Sequence, residues 1–234
     1  VGLCLLMGYA GQASLGHAGF VAIGGYTSAV LTTHNLAALR DAPIIHWCLA
    51  ANLCVERQDA YGAVTVTFTP WVAFLAALVV AAVVGLLIGL PLIRLKGHYL
   101  AMATLGFGLI VYRLVLAVPL LGQADGVQGV PPLNVAGLEV NGRVAFRVEN
   151  YYIAWGAALL AMVLATNLIR SRVGRALRAI HQNEDAADSL GININRYKLG
   201  VFVLSAVMAA AGGSLLTHYN GSIGPSEATV MKSV

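Results

Sequence analysis

Long apolar runs alternate with short polar breaks along this chain, and that alternation sets the expected elements. Residues 70–93 carry no charge and are long enough to cross a hydrocarbon core of about 30 Å as one helix. Ala81, Gly85 and Gly89 recur there every four residues, which predicts a face that another helix can approach closely. Residues 97–119, 151–169 and 199–219 are further runs of spanning length. In the last of these, Ser205, Ala209 and Gly213 make a second small-residue face. Residues 18–33 form an apolar run slightly short for a span. Two stretches interrupt the pattern. Residues 34–69 mix charges and end in an alternating, strand-like Val64-Thr-Val-Thr-Phe-Thr69. Residues 121–150 contain Asn141-Gly142 between alternating positions, which predicts a β-hairpin turning at that pair.

Composition decides what the runs mean. The chain is 59% hydrophobic and 10% charged, with a mean hydropathy of +0.78; soluble domains lie near about 45–50% and 25%. The expected fold is an all-α polytopic membrane protein. Six of its 14 basic residues fall in 170–198 (Arg170, Arg172, Arg175, Arg178, Arg196, Lys198), and Arg94 and Lys96 follow the run 70–93 directly. Clustering of this kind marks cytoplasmic ends. It leaves 34–69 and 121–150 as outside loops. The net charge of +4 is small, and the clustering of the basic residues suits membrane orientation better than nucleic-acid binding. With no initiator Met and a helix-like segment cut short after Pro225, both ends are expected to be truncated.

Gly8-Tyr-Ala-Gly-Gln-Ala-Ser-Leu-Gly-His-Ala-Gly-Phe20 fits no simple membrane helix. Glycine costs roughly 1 kcal/mol relative to alanine within a helix. Backbone broken at membrane depth is tolerated only where protein buries it or where it lines a wet cavity. Gln12, Ser14 and His17 lie in this stretch.

The polar segment 174–191 has definite local chemistry. Asn183 is a good N-cap, Glu184 and Asp185 suit the positive end of a helix dipole, and Gly191 suits a left-handed C-terminal cap. A two-turn helix over 184–190 is expected, and a helix so short must dock against something.

Several chemistries are weighed against these residues. No Gly-x4-Gly-Lys-Ser/Thr loop occurs, so ATP is not bound by that route. The six histidines show no metal spacing, and no metal or cofactor is expected. No carboxylate lies in mid-span, which argues against a proton-driven carrier. Ser14-x-x-His17 leaves open an intramembrane serine hydrolase, although nothing supplies an orienting acid. Cys48 and Cys54 leave two readings open, a small disulfide or two thiols.

Asp185-Ala186-Ala187, three residues, then Gly191 resembles the coupling loop of ABC-importer permeases, with Asp in place of Glu and without the proline of the extended pattern. Three blocks resemble the branched-chain amino-acid permeases of the LivM type: residues 8–20 with Gly24-Gly-Tyr-Thr27; Arg94-Leu-Lys-Gly-His-Tyr-Leu-Ala-Met-Ala-Thr-Leu-Gly-Phe107; and Gly174-Arg-Ala-Leu-Arg-Ala-Ile with Ala186-Ala-Asp-Ser-Leu-Gly-Ile-Asn193. The resemblance implies one transmembrane permease domain over 1–234 in the bacterial inner membrane. Its implied partners are two ATP-binding cassette subunits, a second permease subunit and a periplasmic binding protein. It implies coupling to the ATPase through the loop 170–198 (Arg178, Glu184, Asp185, Ala186, Ala187, Gly191). It also implies a translocation path along Gly11, Gln12, Ser14, Gly16 and His17, with Thr104 and Phe107. Leu109, where many members carry Glu, and Ala124-Asp125-Gly126, in place of Thr-Gly-Gly, leave urea or short amides as alternatives to a branched-chain or other small amino acid.

Overall fold

The computed structural model describes residues 1–12, 14–35, 54–58, 64–93, 95, 97–135, 138–142 and 146–228. Cys48, and with it the disulfide question, lies outside them, as do Arg94 and Lys96. Helix α1 (Gly2–Ala10) leads into α2 (His17–Thr33), and two strands follow, β1 (Cys54–Gln58) and β2 (Val64–Phe68). Helices α3 (Pro70–Leu92) and α4 (His98–Ala117) are followed by strands β3 (Val127–Gln128), β4 (Leu133–Val135) and β5 (Leu138–Val140). Then come α5 (Arg147–Arg170), α6 (Arg172–Gln182), α7 (Glu184–Ser189), α8 (Ile194–Asn220) and strand β6 (Ser222–Ile223). Among the described residues, α3, α4, α5 and α8 are long and apolar enough to cross a membrane.

α8 is the axis of the bundle. At 27 residues it is about 40 Å long, at 1.5 Å per residue. α2 runs parallel to it: His17 meets Ser205 near one end, and Ser28 meets His218 near the other. α3 runs antiparallel, with Gly85 against Ala206 and Gly89 against Phe202. The predicted small-residue face of α3 is real and longer than expected, because Ala73, Ala77, Ala81, Gly85 and Gly89 are all buried. On α8 the buried face is Ser205, Ala206, Ala210 and Gly213, while Ala209 is only half-buried. Short side chains let three helices approach closely where lipid supplies no hydrophobic drive. α5 differs. Among its residues only Asn150 and Ala165 are buried, and Tyr151, Tyr152 and Trp155 stack edge-to-face on an exposed apolar surface.

Three expectations need correction. The hairpin does not turn at Asn141-Gly142, since Leu133 pairs with Val140 and Val135 with Leu138, which leaves that pair beyond the end of β5. Asn141 and Gly142 lack the positive φ that a type I′ pair requires. Asn141 is instead tied to Asn150 through its backbone N–H and C=O. α5 begins at Arg147, inside the stretch expected to be loop. The break in the first segment falls at Gly11, because α1 continues through Gly8.

At the end of the bundle away from the basic residues, β3 pairs antiparallel with β6, Val127 opposite Ile223 and Gln128 opposite Ser222. That ladder, with short 3-10 turns at Pro119–Leu121 and Pro225–Ala228, covers the ends of α2 and α4. His218 on α8 is buried and bonded twice, Nε2 to Ser28 Oγ (2.8 Å) and Nδ1 to the Pro131 carbonyl (2.7 Å). It ties the chain around residue 131 to the α2–α8 seam.

Candidate functional site: a glycine reversal and a short polar helix

α1 runs toward the basic end, where the chain reverses through residues 11–16 into α2. Gly11 makes the turn in the left-handed region, at φ 63° and ψ 20°, a conformation that costs an L-residue roughly 1–2 kcal/mol. The Gln12 N–H then closes back onto the Leu6 carbonyl at 3.1 Å. His181 of α6 covers Gly11 so closely that a β-carbon there would overlap its Nδ1. At the other end of the reversal Gly16 admits the Thr104 carbonyl of α4 into the space a side chain would take. The Leu15 N–H donates to Thr104 Oγ1 at 3.0 Å, and that hydroxyl donates to the Ala101 carbonyl at 2.9 Å.

The polar side chains of the reversal are buried. Ser14 Oγ lies 3.0 Å from His17 Nδ1, and Ser205 Oγ lies 2.6 Å from His17 Nε2. A neutral imidazole donates from one nitrogen and accepts at the other, so one serine accepts a hydrogen bond from the ring and the other donates one to it. Gln12 is 5% exposed, and its buried Oε1 has no hydrogen-bond partner among the described residues. An unmade bond of this kind costs about 1–3 kcal/mol, and Tyr26 Oη and Ser214 Oγ share that condition among the described residues. Phe20 closes the apolar side, with ring centroids 4.9 Å from Phe107 and 5.7 Å from Phe202. Thus Gly11, Gln12, Ser14, Gly16, His17, Thr104 and Phe107 do come together. Ser205, read from the sequence only as a spacer, joins them.

The polar segment 174–191 folds into two helices. α7 forms as its caps predict: Asn183 Oδ1 accepts from Ala186 N–H at 3.1 Å, and Gly191 sits at φ 77°. Ala187 is its buried residue; Asp185, Ala186, Gly191 and the flanking Leu190 are exposed. Glu184 is half-buried and accepts from Lys198 Nζ at 2.6 Å. The sequence reading missed α6. Its signal is Val173, Ala176, Leu177 and Ile180 at helical spacing behind Ser171, whose Oγ accepts from Val173 N–H at 3.1 Å. Arg178 lies on α6 and reaches the Gly174 and Ile169 carbonyls at 3.4 and 3.5 Å, bracing the α5–α6 corner.

Ser14 and His17 are within hydrogen-bond reach, as a hydrolase would need, yet the second ring nitrogen meets a serine and not a carboxylate. The orienting acid of a triad is missing. Among the described residues no cluster could hold a metal.

Comparison with known proteins agrees with this architecture. The family described as "Branched-chain amino acid transport system / permease component" matches residues 1–233. The high-affinity branched-chain amino acid transport system permease protein LivM of Escherichia coli K12 is 30% identical over 256 residues, covering all of this chain and 52% of that protein. The permease protein LivH of the same strain is 43% identical over 74 residues, 31% of this chain and 24% of that one. A nucleoside ABC transporter permease of Lactococcus lactis is 28% identical over 165 residues, 64% of this chain and 49% of that one. The chain spans about half the length of the LivM proteins it matches. No solved structure matches it.

Proposed function

Because the chain belongs to the family of branched-chain amino-acid transport permease components, we propose that it builds the translocation path of an ATP-driven importer. It resides in the bacterial inner membrane and takes branched-chain or other small amino acids from a periplasmic binding protein. A second permease subunit completes the path, and two separate ATP-binding cassette subunits supply the energy. In this reading the helix ends that adjoin 94–96 and 170–198 face the cytoplasm, and 34–69 and 121–150 face outward.

The observation that carries the proposal is the buried Oε1 of Gln12, without a hydrogen-bond partner among the described residues, in a reversal packed against α6, α4 and α8. Buried polar groups held among helices belong in protein or along a wet path, not against lipid. The Gln12 amide and the remaining capacity of the Ser14 hydroxyl offer neutral donors and acceptors to a solute, His17 holds Ser14 in place, and Thr104 and Phe107 flank them. α7, with Asp185, Ala186 and Leu190 exposed, supplies the surface for the ATPase, and α6 joins it to the reversal through His181 and Gly11. Closure of the ATPases displaces α7 and shifts the reversal relative to α4 and α8. The hydrolase reading is not favoured.

The test is uptake by proteoliposomes holding the full-length subunit, its permease partner, both ATPases and the binding protein. ATP-dependent accumulation of labelled leucine without urea is the expected result. Urea uptake without leucine overturns the substrate class, and no ATP-dependent uptake of either overturns the importer reading.

A further inference from the structure

Resting on that reading, we propose that the Lys198–Glu184 ion pair is the joint that carries displacement of α7 into α8, and through Ser205 to His17 in the reversal. α7 has six residues and one buried side chain, Ala187. Apolar contact on a single methyl group resists sliding poorly, and a helix so short has little rigidity of its own. The charged contact is different. Lys198 lies in the second turn of α8, 6% exposed, with Nζ 2.6 Å from Glu184 Oε1. A buried ammonium is strongly destabilised once its counter-charge leaves. Pulling Glu184 away therefore costs more than letting the foot of α8 follow it.

Motion of α8 has a definite destination. Seven residues above Lys198, Ser205 is fully buried and bonds His17 Nε2 at 2.6 Å. The start of α1 reaches the same place, with a β-carbon at Gly2 falling 3.0 Å from Ser205 Oγ. The α2–α8 seam above is rigid, since Gly24 lies on the Ala210 backbone and Gly213 on the Val21 carbonyl. The route is therefore a continuous chain of packed and bonded groups, from a surface helix to the buried reversal. A second route through α6 ends at His181 and Gly11, and the experiment separates the two.

Three variants of the pair in the complete complex are compared, with Gly11→Ala beside them for the α6 route: Lys198→Met, Glu184→Gln, and the exchange Glu184→Lys with Lys198→Glu. The ratio of ATP hydrolysis with leucine-loaded binding protein to hydrolysis without it is measured, together with co-purification of the ATPases. Lys198→Met is expected to keep its ATPases and basal hydrolysis while the ratio falls at least about fivefold, the low end of ordinary allosteric coupling. Glu184→Gln should lose less, and the exchange should recover most of the ratio. A wild-type ratio in assembled Lys198→Met overturns the joint, as does an assembled exchange variant no better than Lys198→Met. Loss of the ATPases in all three variants makes the pair a folding staple and also overturns it. A wild-type complex with no stimulation overturns both this inference and the importer reading. With a coupled wild type, coupling kept in Lys198→Met but lost in Gly11→Ala assigns the route to α6 and sinks only the joint.

Discussion

Gly16→Ala puts the smallest side chain at the tightest point of the reversal. Gly16 has φ −104° and ψ 14°, which alanine adopts without backbone strain, so the effect is one of space. The new β-carbon would overlap the Thr104 carbonyl oxygen and come within 2.8 Å of its carbon. Ordinary contact between such atoms is about 3.5–4.0 Å, and the obstacle is helix backbone with no rotamer to escape into. α4 must therefore move off α2 by roughly 1 Å or more. Overpacking of this kind costs about 1–3 kcal/mol. The same shift stretches the 3.0 Å bond from Leu15 N–H to Thr104 Oγ1, whose loss adds about 0.5–1.5 kcal/mol. The total is roughly 1.5–4.5 kcal/mol, or a fall in Tm of roughly 3–18 °C at this chain length. Thermal unfolding of the detergent-purified subunit is the assay. Gly106→Ala is the control: it lies within α4 with open space where its side chain would go, and it should gain up to about 1 kcal/mol. A Tm for Gly16→Ala within a degree of wild type refutes the close approach.

Gly191→Val forces a β-branched residue to φ 77°, costing roughly 1–2 kcal/mol locally. It should lower substrate-stimulated ATPase activity while the subunit still inserts; normal stimulation counts against α7 as the docking element. Ser205→Ala leaves one nitrogen of buried His17 without its partner, a loss of about 1–3 kcal/mol, and an unchanged Tm in the same thermal assay contradicts the Ser14–His17–Ser205 chain. A cysteine at Ser171 should react with impermeant maleimide only from the cytoplasm, and one at Asn141 only from outside. Labelling of both from one side overturns the orientation.

What could be read in the sequence depended on how local its cause was. α7 and its caps were legible because Asn183, Glu184 and Gly191 act on backbone within one turn of themselves. The small-residue face of α3 was legible for the same reason, since a period of four states its own geometry. The turn at Asn141-Gly142 failed because Asn150, nine residues on, holds Asn141 in a different arrangement. α6 went unseen because its arginines masked a regular apolar stripe. The site was half legible. Glycines at 11 and 16 signalled broken backbone, yet nothing local reveals that Gly16 admits Thr104, that Gly11 lies under His181, or that Ser205 completes the bonds of His17. Those pairings arise from packing between helices 88 to 188 residues apart in sequence.

Gln12→Leu tests the central claim most directly, since it keeps the bulk of the side chain and removes the amide whose buried Oε1 has no partner among the described residues. Uptake of labelled leucine is measured in proteoliposomes holding the complete complex, with assembly checked by co-purification. If the reversal lines the path, uptake falls severely while the complex assembles normally. Wild-type uptake by the assembled Gln12→Leu complex would contradict the assignment and leave residues 11–17 as a packing device.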